Sequence, residues 1–146
     1  MKITDVLRAE HAVFHNLFDQ IEAAVPKLKT LAEVKVLAAV IDKVHAPHSK
    51  LEDDLFIEPL EPYFDQMGQR ETFHAEHEHI DAQLMRVQKS RSLKDAKKLL
   101  LNAIAASRKH FDKEERIVFP MAEKLLTDAT LTKLGDAWAK RREASV

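Results

Sequence analysis

Cysteine is absent from this 146-residue chain, which removes disulfides, thiolate metal sites and dithiol redox chemistry together. Glycine occurs only twice. Strands need turns, and turns need residues that tolerate positive φ, which argues against a sheet protein and makes an all-helical chain the economical reading. Neither sign of charge dominates: 23 basic residues stand against 24 acidic ones. The electrostatic footprint of a nucleic-acid or acidic-membrane binder is therefore missing. The short run Lys140, Arg141, Arg142 suits the negative end of a helix dipole. Met1 to Arg8 mix acid and base without an apolar run, so neither a signal peptide nor a membrane span is expected, and the cytoplasm is the expected location. What is present is 45% apolar residues, enough for the core of one domain spanning residues 1–146.

Periodicity divides the chain into helices. Ile3, Leu7, His11, Phe14, Phe18, Ile21 and Val25 follow steps of four and three, one stripe of an amphipathic helix that ends near Pro26 to Lys29. A second helix is predicted from Leu31 to Ile57, with Leu37, Ile41, Val44, His48 and Leu55 inward, a kink at Pro47 and a stop at Pro59 and Pro62. After a turn at Met67 and Gly68, a third helix carries Phe73, His77, Ile80, Leu84 and Val87 and breaks near Ser90 to Ser92. The fourth starts close to Leu93 and turns Leu100, Ala103, His110, Glu114, Ile117 and Met121 inward, with Pro120 kinking its far part. Thr130 to Arg142 forms a short fifth helix whose Leu131, Leu134 and Trp138 cap one end. The fold class is thus all-α: an antiparallel up-down-up-down four-helix bundle with a short extra C-terminal helix.

Polar residues interrupt the apolar stripes in a repeated way. Ala9-Glu10-His11 recurs as Ala75-Glu76-His77, and His48-x3-Glu52 recurs as His110-x3-Glu114, so the chain reads as two copies of one hairpin. His and Glu four apart share a helix face. In an antiparallel pair, residues equidistant from the turn lie at one height. His11 and His48 are centred between Lys29 and Thr30, His77 and His110 between Leu93 and Lys94, and His48 and His77 between Pro62 and Tyr63, each at or close to a predicted turn. Four histidines therefore converge on one layer, with Glu52 and Glu114 a turn away. Imidazole nitrogen and carboxylate oxygen suit iron, and also manganese and zinc, whereas two carboxylates in an apolar core without cations would repel each other. A metal pair bridged by the two Glu, with two His on each ion, leaves positions for a bridging oxygen and a small exogenous ligand.

At these residues the chain resembles the hemerythrin and HHE cation-binding family, whose motif of a single His, HxxxE, a single His and HxxxE runs here from His11 to Glu114. The resemblance implies two non-heme irons, one on His11 and His48, the other on His77 and His110, with Glu52 and Glu114 bridging, and a small diatomic ligand such as dioxygen or nitric oxide. The oxygen carriers of the family have a further histidine where Phe73 stands here, and HxxxxD where this chain has His110-x3-Glu114. His74, nearly level with the two Glu, is the candidate for that fifth histidine, with His15 and His45 as competitors. His15 and His45 are expected to face each other across the first hairpin near Asp81, and His79 to point away. Asp53, Asp54 and Glu115 are expected to face outward. Glu-x2-His occurs only in the third helix, as Glu71-His74 and Glu76-His79, so a ferritin-like oxidase fails on ligand count. Binding or sensing of the diatomic ligand, its redox detoxification, and iron storage remain alternatives at this level, as do a zinc protein and a metal-free helical module.

Overall fold

A computed structural model of the chain describes residues 1–67 and 70–145. In chain order it comprises α1 (Ile3–Ala24), a 3-10 turn (Val25–Lys27), α2 (Leu31–Glu52), a π-turn (Asp53–Ile57), α3 (Glu58–Met67), α4 (Arg70–Lys89), α5 (Leu93–Lys113), a second π-turn (Glu114–Val118), α6 (Phe119–Leu125) and α7 (Asp128–Glu143). No strand occurs among the described residues. None of the helices is long and apolar enough to cross a membrane.

Helix starts follow local chemistry. Thr30 and Glu33 form a reciprocal capping box at the start of α2, Ser92 accepts from the Asp95 amide at α5, and Thr127 from the Thr130 amide at α7. The core divides into two apolar clusters with a polar layer between them. One holds Phe14, Phe18, Ile21, Val34, Ile41, Ile80, Leu84, Leu100 and Ile104; the other holds Ile3, Leu7, Phe56, Leu60, Phe73, Val118, Phe119 and Trp138. Along the sequence, α1 passes from the second cluster to the first, α2 returns, α4 descends again and α5 returns. This alternation is the up-down-up-down bundle. α7 lies along α1 and touches the first π-turn, with Leu131 and Trp138 buried in the second cluster.

The π-turns account for most departures from simple periodicity. Each inserts one residue into the helical register, so every inward position beyond it moves up by one. After Glu52 the buried residues are Phe56, Ile57, Leu60 and Phe64, and Leu55 is only half-buried. After Glu114 they are Val118, Phe119 and Ala122, while Ile117 is 51% exposed and Met121 half-buried. The expected stop at Pro59 and Pro62 is corrected in the same way. The chain stays helical to Met67 with both prolines inside, because Pro59, like Pro120, is the second residue after a π-turn, where the ladder changes register and a missing N–H costs least. In α2 the inner stripe is Val34, Ala38, Ile41, His45, His48 and Glu52, so His45 is buried and Val44 is exposed. The turn expected at Gly68 lies outside the described residues.

Gly135 fixes how α7 docks. A Cβ there would collide with the Met1 carbonyl and crowd the Ile3 amide. Gly135→Ala, which gains about 1 kcal/mol in an unobstructed helix, is expected instead to cost on the order of 1–3 kcal/mol by overpacking. Thermal denaturation checks the sign, and a stabilised variant would contradict this packing of α7 on the chain start.

Candidate metal centre

The polar layer contains His11 from α1, His48 and Glu52 from α2, His77 from α4, His110 from α5 and Glu114 at the head of the second π-turn, all buried. Every imidazole has the same orientation. The Nε2 atoms face the centre: His110 Nε2 lies 2.8 Å and His11 Nε2 3.3 Å from Glu114, and His77 Nε2 lies 3.6 Å and His48 Nε2 3.9 Å from Glu52. The Nδ1 atoms face carboxylates outside the layer. His48 Nδ1 donates to Glu10 at 2.7 Å, His110 Nδ1 to Glu76 at 2.6 Å and His11 Nδ1 to Glu115 at 2.9 Å, and His77 Nδ1 lies 3.4 Å from Asp53. A carboxylate at Nδ1 holds the proton there and leaves the Nε2 lone pair free for a cation, the usual support for a metal-binding imidazole.

Without a cation this arrangement is unfavourable. His77 Nε2 and His110 Nε2 approach to 2.7 Å, a contact that needs either a proton or a cation between the two nitrogens. His11 Nε2, His48 Nε2 and all four oxygens of Glu52 and Glu114 are buried without a hydrogen-bond partner, a concentration far above the few expected of a native fold. The titrations express the same strain. Burial pushes Glu114 up to about 8 and Glu52 well above the usual carboxylate range, the nearby Glu114 adding to the latter. Burial holds His11 down at about 2, with the neighbouring His48 and His110 acting in the same direction. Burial also lowers His48 in spite of Glu10. In His77, by contrast, burial is outweighed by Asp53 and the pKa rises. Two groups of donor atoms lie close enough to share an ion: Glu52, His77, His110 and Glu114, and His11, His48 and Glu52. This donor set, imidazole nitrogens with carboxylate oxygens and no thiolate, fits iron and other first-row divalent metals.

The profile of the Hemerythrin HHE cation binding domain family matches residues 2–122 and again residues 68–137. The chain belongs to that family. Comparisons with curated proteins and with solved structures give no significant match. Two overlapping matches are consistent with an HHE domain built from two similar hairpins, and the contacts carry the repeat further than the motif. The Glu before each single histidine supports the histidine of the other motif helix, Glu10 to His48 and Glu76 to His110. The acid after each motif Glu supports a single histidine, Asp53 to His77 and Glu115 to His11.

Some sequence-derived positions of this HHE domain fall elsewhere. His74 is exposed and belongs to neither donor group; it lines a surface cavity beside His77. His15 does not face His45. It turns to α5, where Arg108 Nη1 donates to its Nδ1 at 2.8 Å. His45 is fully buried, 3.4 Å from Ser49 Oγ and 3.8 Å from Asp81. Burial, followed by the nearby His48, holds it down at about 3. His79 is exposed and Asp54 pairs outward with Lys50 and Arg141, as expected. Asp53 and Glu115 instead reach back to the layer, because the histidine each meets sits on an adjacent helix.

One difference breaks the repeat. Glu10 also accepts from Trp138 Nε1 at 2.8 Å and from Arg142 through Nε at 3.0 Å and Nη2 at 2.7 Å, which ties α7 to His48. Beside His110, Glu76 has only Lys113 among the described residues, at 3.0 Å. Burial opposes ionisation of Glu10, but the bonds from His48 and Arg142 outweigh it and hold it down at about 2. Glu10→Gln is therefore expected to weaken metal binding about 10- to 100-fold, measured by competition against a chelator. Unchanged affinity would show that Glu10 only anchors α7.

Proposed function

We propose that this HHE domain is a non-heme di-iron protein that binds dioxygen or a similar small diatomic ligand. The observation that carries the reading is the placement of the two carboxylates. Glu52 lies between His48 and His77, and Glu114 between His11 and His110, so each reaches one histidine of each pair. That is where bridging ligands of two ions would sit. His11 and His48 would hold one ion, His77 and His110 the other, and both Glu would bridge. Iron, when bound, supplies a redox-active centre with exchangeable positions, since four protein donors leave two of six unfilled. The protein's own part is to keep Nε2 lone pairs aimed inward, to neutralise the ions' charge with two buried carboxylates, and to keep the layer dry between two apolar clusters.

A second reading, redox detoxification of nitric oxide or peroxide, is favoured by the exposed position of His74. Without a fifth histidine both ions have equal donor sets, and neither is closed to an incoming ligand. The same positions also suit iron storage, and the cytoplasm is the proposed location. Absorption spectra of the iron-loaded, reduced protein before and after air, and again after oxygen is withdrawn, separate these readings. A reversible near-ultraviolet and visible change supports binding, and an irreversible one moves the assignment to redox turnover. Spectra that do not respond to air would overturn both.

A further inference from the structure

The metal layer is buried, yet its ions must pass through the protein surface. Among the surface cavities, one of about 350 Å³ between α2, the first π-turn and α4 reaches His77 directly. Asp53, Asp54, Glu78 and Asp81 line it, against the single ammonium of Lys50, and His74 and Ser49 complete its polar wall. A second cavity, of about 320 Å³, reaches His110, but its charges cancel, Glu76 against Lys109, and its wall is mostly apolar. The cavity touching Glu10 carries Lys43 and Arg142 and is net positive. Of these three cavities, the one at His77 presents a negative field above a histidine of the layer.

The acidic wall is not the only sign of a cation path. His77 is 6% exposed and lines the cavity, and its Nδ1 and the facing Asp53 Oδ1, 3.4 Å apart, are buried with no hydrogen bond among the described residues. Glu78 is exposed and pairs with no charge among the described residues, and Asp81 lies 3.8 Å from the buried His45. Burial raises the Asp81 pKa against the lowering by nearby His77, and Asp42 and Asp53 add to the rise.

We propose that this cavity is the port through which divalent cations reach the metal layer, with Glu78, Asp81 and His74 as transient outer ligands and Asp53 and His77 as the inner gate. The inference rests on the di-metal reading and adds a route to it. Oxygen and imidazole donors exchange weakly held divalent ions readily, and a low-dielectric mouth of one sign raises the local cation concentration. It also gives His74 a role compatible with its exposure.

The test is stopped-flow loading of the metal-free protein with cobalt(II), followed by absorption. Glu78→Gln/Asp81→Asn is expected to load about fivefold more slowly at low salt, with the difference fading as salt rises, and to reach the same final stoichiometry. Glu78→Lys, the same charge change at one exposed position that spares the core, should slow loading to a similar extent. Asp5→Asn/Asp128→Asn, the same charge change outside the cavity, should load at the wild-type rate. Loading of both cavity variants at the wild-type rate overturns the port, and so does equal slowing by the control pair. A wild-type protein that takes up no cobalt at equilibrium overturns the di-metal reading itself, a result distinct from either.

Discussion

Loading the metal-free protein with iron(II) raises its thermal unfolding midpoint by about 10 °C or more. A ligand that binds only the folded state stabilises it by about 4 kcal/mol when present at a thousand times its dissociation constant, and in a domain of this size each kcal/mol moves the midpoint by a few degrees. The layer adds a specific reason for a large effect. Six buried donor atoms, on His11, His48, Glu52 and Glu114, lack partners, and a pair of cations would supply partners to all of them. Scanning calorimetry with and without metal measures the shift. A midpoint indifferent to metal would mean that the folded layer does not bind it. His48→Ala should remove much of the gain, since it deletes a donor and leaves Glu10 to Arg142 and Trp138 alone.

In the metal-free protein, stability should fall as pH rises from about 6.5 to 8, and Glu114→Gln should flatten that fall. The sign follows from the folded-state shifts. Glu114 is raised to about 8 by burial, and Glu52 is raised in the same direction. The unfolded chain releases these protons near its ordinary carboxylate pKa, so the folded state is penalised progressively until Glu114 ionises at about 8. His77, raised because Asp53 outweighs its burial, acts in the same sense. His11 and His45, held down at about 2 and about 3 by burial, act in the opposite sense. Their contribution is lost as pH falls below the ordinary histidine value near 6.5, so it does not interfere above it. Glu114→Gln removes the ionisable group, preserves shape and should stabilise the metal-free fold at pH 8 by a few kcal/mol, while reducing bound metal. Denaturant titrations at pH 6.5 and 8 read the difference. A metal-free wild type more stable at pH 8 than at 6.5 would contradict the burial of two uncompensated carboxylates.

The layer itself was legible because antiparallel helices convert sequence distance into height. His11, His48, His77 and His110 could be placed at one level from their separations alone, and the structure brings them together with Glu52 and Glu114. The supporting carboxylates were less so. Asp53 and Glu115 follow the motif glutamates and sit about 100° around the helix, which reads as outward; their partners His77 and His11 belong to neighbouring helices, which no single-helix periodicity can represent. Glu10 and Glu76 did leave a signal, the repeated Glu-His pair, whose meaning depends on the cross-helix contact. The π-turns were hidden for a related reason. Their trace is a step of five between inward positions, from Glu52 to Ile57 and from Glu114 to Phe119, followed by a proline two residues later at Pro59 and one residue later at Pro120. Read at a fixed period of 3.6, that step assigns Leu55 and Ile117 to the core and misses the bulge.

The most direct measurement is metal analysis of the protein after anaerobic loading with iron(II) and removal of unbound ions, beside Glu52→Gln and Glu114→Gln. Two irons per chain in the wild type and fewer than two in each variant is the expected result, since each carboxylate reaches a histidine of both pairs. No retained iron in a fully folded wild type, or two irons retained by both variants, would contradict a di-iron centre bridged by Glu52 and Glu114.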